Sequence, residues 1–177
     1  MKHLILLLLL SGCADEYSLA IEKEFSNEEI QMIESAVDEW MEACDCYDAS
    51  VFFRYDLPTT TTLQYSNFLT TRSYGRIWKV HTNEPAYIDG EKEKDGVSFR
   101  GMHFDGNIML VDGKLDKMFY PVILHELGHM YGIKHQVSGV MLGDGDIPGC
   151  IDWLALSEFC DEHACGPKAE PTCVPTK

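Results

Sequence analysis

Three histidines constrain the local architecture of this 177-residue chain more than any other feature. His125 and His129 bracket Glu126-Leu127-Gly128. On a helix, side chains four residues apart lie about 5–6 Å from one another, whereas on an extended strand they would stand roughly 13 Å apart. Two imidazoles at this spacing reach one metal ion only from a helical face. Gly132 suits the left-handed residue that ends a helix and turns the chain back. That turn brings His135 under the metal as a third ligand. Three imidazoles leave one position of a tetrahedral zinc open, as in a catalytic rather than a structural site. Glu126 stands one step round the helix, outside the ligand set, where its carboxylate can reach a water at the metal. Chance produces three His, one Glu and one Gly at fixed offsets at on the order of one position in ten million. His81, His103 and His163 lack any such spacing and read as surface or core residues.

The rest of the composition narrows the function classes. Acidic residues outnumber basic ones 29 to 14, for a formal charge of −15, and no Lys/Arg cluster exists to hold phosphates. Nucleic-acid binding is excluded on that ground. A hydrophobic content of 45% argues against disorder, and the length suits one domain. Met1-Lys2-His3 is a minimal basic lead, and Leu4–Leu10 is an apolar run of seven, far short of the roughly 20 residues that span a bilayer. It reads as a signal-peptide core. Leu10-Ser11-Gly12-Cys13 resembles a bacterial lipobox, in which the Cys is lipidated and becomes the first mature residue. The expected organisation is a lipoprotein signal peptide at 1–12, lipidated Cys13 with a tether to residue 25, and one catalytic domain at 26–177. The membrane contact would be the lipid alone, and the domain a monomer. Six further cysteines, Cys44, Cys46, Cys150, Cys160, Cys165 and Cys173, allow up to three disulfides in an exported domain. Pairing Cys44 or Cys46 with the C-terminal group would staple the first helix to the last segment. The order among the fifteen pairings stays open.

Along the chain, residues 14–25 read as an acidic lead-in. Ser26 and Glu29 form a capping box, and Ile30, Ile33, Val37, Trp40 and Met41 continue at helical spacing. Residues 49–55, 76–81, 97–104 and 107–111 read as strands, the last two split by the turn signal Asp105-Gly106. Residues 59–62 and 87–95 read as loops. A helix is expected over 116–131, with Pro121 tolerable only near its first turn. A final helix is expected over 151–163. Helix, strands, helix, loop and helix make a mixed α/β (α+β) domain. Asp144 and Asp146, in a Gly-rich loop, offer a weak calcium site and read better as solvated acids.

His125-Glu126-x-x-His129-x-x-Gly132-x-x-His135 resembles the long zinc signature of the metzincin metallopeptidases. Ser138-Gly139-Val140-Met141 resembles the methionine turn of that family, with Met141 beneath the metal. Residues 26–163 can be laid on the metzincin plan, and the matrixins are the most similar subfamily. The resemblance implies a zincin fold, a mixed twisted sheet with an N-terminal helix, a zinc-binding active-site helix and a C-terminal helix. It implies one zinc ion held by His125, His129 and His135, with Glu126 as general base in peptide-bond hydrolysis. Strand 107–111 is the expected cleft edge, along which an extended substrate would add. Residues 136–142 would wall the leaving-group side. The residue after His135 is Gln136, which does not point to a particular subfamily. The chain lacks a Tyr after Met141 and the cysteine-switch segment of secreted matrixins. The competing readings are a non-catalytic binding lipoprotein on the same scaffold and a structural or sequestering zinc domain. An intact Glu126 disfavours the first of these, and an open three-His set the second.

Overall fold

In the computed structural model, the described residues are 15–44, 49–57, 75–80, 100–104, 106–112, 116–143, 147–162, 166–167 and 173. They form five strands and three helices: β1 (Asp15–Glu22), α1 (Asn27–Met41), β2 (Ala49–Leu57), β3 (Gly75–Val80), β4 (Gly101–Phe104), β5 (Asn107–Val111), a 3-10 turn (Asp116–Met118), α2 (Phe119–Met130) and α3 (Trp153–Glu162). The strands make one sheet in the order β2-β1-β3-β5-β4. The first four run parallel, and β4 is antiparallel to β5. The domain is therefore mixed α/β with a mixed sheet, as the sequence leads one to expect.

Parallel strands are covered on both faces, so their central members lose the polar alternation of an exposed sheet. All five residues of β5 are buried. Ile77, Ile108 and Leu110 join Leu19 and Ile21 in the main core beneath α1, α2 and α3. Their neighbours Trp78, Val80, Met109 and Val111 point to the other face and form a second, smaller cluster with Met102. At the centre of the main core, Trp40 is fully buried. Its indole N–H donates to the Leu124 carbonyl at 2.9 Å, and its ring meets Phe159 edge-on at 5.1 Å. One residue of α1 thus fastens both α2 and α3. Glu39 adds a polar fastening on the same helix. It accepts from the Tyr120 hydroxyl at 2.5 Å and from the Ile151 N–H at 3.2 Å. Burial, reinforced by the hydrogen bond to the Glu39 carboxylate, pushes the Tyr120 hydroxyl well above the usual tyrosine range.

The span read as a lead-in is different in the structure. Residues 15–22 are β1, paired with β2 on one side and β3 on the other, so the folded domain includes them. Leu19 and Ile21 are buried in the main core, and Glu22 is buried as well, accepting from the Lys79 N–H at 2.8 Å. The buried run Leu19-Ala20-Ile21-Glu22 is short and set among acids, which hides the strand in the sequence. The α1 capping box is present, with Ser26 N–H donating to Glu29 and Glu29 N–H to Ser26. The helix expected from Asp116 begins at Phe119 after the 3-10 turn, which puts Pro121 in its first turn.

Cys44 pairs with Cys160, stapling the end of α1 to α3, and Cys150 pairs with Cys173. Cys13, Cys46, Cys165, the two expected loops at 59–62 and 87–95, and the acids Asp144 and Asp146 lie outside the described residues. Among the described residues, no helix is long and apolar enough to cross a membrane.

Candidate metal centre

The site is built on the C-terminal half of α2 and the reversal that follows it. Gly132 has φ +93°, a conformation that a Cβ disfavours. Around it, the Gly132 N–H donates to the His129 carbonyl and the Ile133 N–H to the Gly128 carbonyl, both at 3.0 Å. This pair of bonds is a Schellman motif, which closes the helix and sends the chain back beside it. His135 is carried round by that turn.

The result is the arrangement anticipated from spacing. His125, His129 and His135 each offer a ligand atom within 4.8 Å of the others. The ring centroids are 4.6 Å apart for His125–His129, 5.3 Å for His125–His135 and 4.6 Å for His129–His135. His125 is buried, His129 half-buried and His135 exposed, so the centre opens to solvent on the His135 side.

The donor chemistry fits a metal ion. His125 Nδ1 lies 2.6 Å from the Val140 carbonyl, and His129 Nδ1 lies 2.7 Å from the Ile133 carbonyl. A carbonyl only accepts, so each Nδ1 carries the proton, and each Nε2 keeps the lone pair that a metal needs. Such outer contacts fix tautomer and ring orientation in metal sites. The group can therefore hold a metal ion.

The turn at Met141 holds His125 through the Val140 carbonyl and packs against α2. Met141 is fully buried, and a Cβ at Gly128 would come within 2.4 Å of its sulfur. Glycine at 128 is what lets the Met141 side chain lie against α2. The Gln136 N–H donates to the Met141 carbonyl at 2.8 Å, and the Gln136 amide donates to Glu158 at 2.7 Å, tying the 136–142 segment to α3. Val137, on the same segment, is 90% exposed. Asp152 links this segment to α3 as well. Its Oδ2 accepts from the Val140 N–H at 2.8 Å, and its Oδ1 accepts from the Leu154 N–H at 3.0 Å. A continuous path thus runs from the N-terminus of α3, through the Val140 peptide, to His125.

Glu126 is only 5% exposed and packs towards β4. The expected cleft edge needs correction. β5 lies between β3 and β4, so it is interior, and among the described residues β4 is the outermost strand at that end. β4 pairs antiparallel on the outer side of β5, and linear sequence does not report lateral order. The same correction brings in His103, which spacing alone did not mark. It is half-buried on β4, and its ring stacks near that of His129 at 6.4 Å. Knowing that β4 is the edge strand was the only signal that could have placed it there. His81 and His163 lie outside the described residues.

The sequence matches no protein-family model and no curated protein.

Proposed function

We propose that the chain is an exported zinc endopeptidase of the metzincin type. The observation that carries the reading is the three-imidazole set, two of its rings held by backbone carbonyls, beside a buried glutamate that is not part of the set. Three imidazole donors suit zinc. Zinc held by His125, His129 and His135 would supply Lewis-acid chemistry, lowering the pKa of a bound water to about 7 and polarising a substrate carbonyl. Glu126 takes the proton from the attacking water and passes it to the leaving amine. Its low exposure keeps bulk water from competing for that proton. The outer edge of β4 receives an extended peptide by main-chain hydrogen bonds, in place of the interior β5. Residues 136–142 wall the leaving-group side. The disulfides Cys44–Cys160 and Cys150–Cys173 support an oxidising compartment, consistent with export and a lipid anchor at Cys13.

The test is hydrolysis of a quenched unfolded protein substrate by the zinc-loaded chain. Cleavage should stop after a chelator removes the metal and return when one equivalent of zinc is added back. Cleavage indifferent to the chelator would overturn the reading. Zinc binding without cleavage of any protein tried would favour the non-catalytic binding lipoprotein.

A further inference from the structure

We infer that Gly101, on the edge strand, is the positioning residue for the Glu126 carboxylate. The inference deepens the peptidase reading, on which its consequence for rate depends. Gly101 is buried on β4 and opposes Leu110 of β5. Its α-carbon faces α2 across the sheet–helix junction. A Cβ built there would lie 3.0 Å from Glu126 Oε1, 3.1 Å from Glu126 Cγ and 2.7 Å from Val122 Cγ1. The first two distances are tighter than ordinary van der Waals contact for a Cβ, and both are to the side chain of the general base. The third is to a β-branched side chain that is buried in the main core.

Glu126 has three side-chain torsions and would ordinarily sample several rotamers. Here one side of its space is closed by a strand backbone at the position where that strand carries no side chain. The strand backbone bounds the carboxylate on that side, opposite α2. A Cβ would instead push Oε1 aside. Acid–base groups act within a narrow window, and displacements of about 1 Å can cost roughly 100-fold in rate. The absence of one carbon atom at position 101 therefore sets where the proton acceptor stands. Two residues on, His103 lies on the same face of β4 and stacks near His129. The α2-facing side of the edge strand thus borders both the base and a metal ligand.

The experiment compares Gly101→Ala, Val122→Ala and the double variant Gly101→Ala/Val122→Ala with the wild-type chain. Zinc per chain should be unchanged in all of them. Gly101→Ala should lower kcat by roughly 10- to 100-fold with KM within about twofold of wild type, and it should lower Tm. In the double variant both Val122 γ-methyls are gone, including the Cγ1 that the new Cβ would meet, so Tm should recover while kcat stays low. Recovery of kcat together with Tm would overturn the inference, because it would make Gly101 a packing residue against Val122 alone. A second readout does not depend on turnover. In a crystal structure of metal-free Gly101→Ala, the Glu126 carboxylate should be displaced by more than about 0.5 Å from its wild-type place. An unmoved carboxylate, with only Val122 shifted, would overturn the inference as well. If the wild-type chain binds zinc and hydrolyses nothing, the peptidase reading fails, and the crystallographic comparison still decides the position of Glu126.

Discussion

Glu126→Ala is expected to lower kcat for peptide hydrolysis by roughly 100- to 10,000-fold while zinc per chain stays at the wild-type value. The separation follows from geometry. The ligand atoms of His125, His129 and His135 converge without help from Glu126, and the Nδ1 protons of His125 and His129 are held by the Val140 and Ile133 carbonyls. Removing the carboxylate therefore leaves the metal set intact and removes the proposed proton acceptor. Steady-state kinetics beside elemental analysis of the same samples checks both halves. A variant that keeps wild-type kcat would remove Glu126 from the mechanism. A variant that loses zinc would show that the carboxylate supports the metal set, and the assignment of Glu126 as base would need to be withdrawn.

Asp152→Ala is expected to weaken zinc binding by about 10- to 100-fold, although Asp152 carries no ligand atom. Its Oδ2 holds the Val140 N–H, and the Val140 carbonyl holds His125 Nδ1 at 2.6 Å. Without the carboxylate, the Val140 peptide loses its anchor, and the His125 ring loses a fixed tautomer and direction. The same residue also caps α3 through the Leu154 and Ala155 N–H groups, at 3.0 and 3.3 Å. Lost capping alone costs about 1 kcal/mol of stability and would not change zinc affinity tenfold in a folded protein. Asp152→Ser separates the two roles, because a serine hydroxyl can cap the helix and is too short to reach Val140 as well. It should keep the Tm of the wild-type chain and share the affinity loss of Asp152→Ala. Zinc competition titrations against a chromogenic chelator read the difference. Wild-type affinity in both variants would sever the proposed path from α3 to the metal.

Much of this site is legible in the sequence because it is local. The i, i+4 pair, the helix-ending glycine and the third histidine lie within eleven residues, so helix geometry and one Schellman turn suffice to bring them together. The α1 capping box and the amphipathic stripe through Trp40 are legible for the same reason. What was missed is lateral. β1 is hidden because its described buried run, Leu19 to Glu22, is only four residues long and ends in an acid, and because its burial depends on β2 and β3 pairing on either side. Sequence orders strands along the chain and so points to β5 as the cleft edge, whereas the antiparallel pairing of β4 puts β4 outermost among the described residues. Gly101 and His103 entered the site only through that lateral order. The staple between the first helix and the last segment was legible as a possibility, and the specific pair Cys44–Cys160 needed the packing of α1 against α3.

The most direct test of the central claim is the zinc content of the purified wild-type chain, by elemental analysis after removal of loosely held metal. The account predicts one zinc per chain, reduced to near zero in His125→Ala. No zinc in the folded wild-type protein would contradict it.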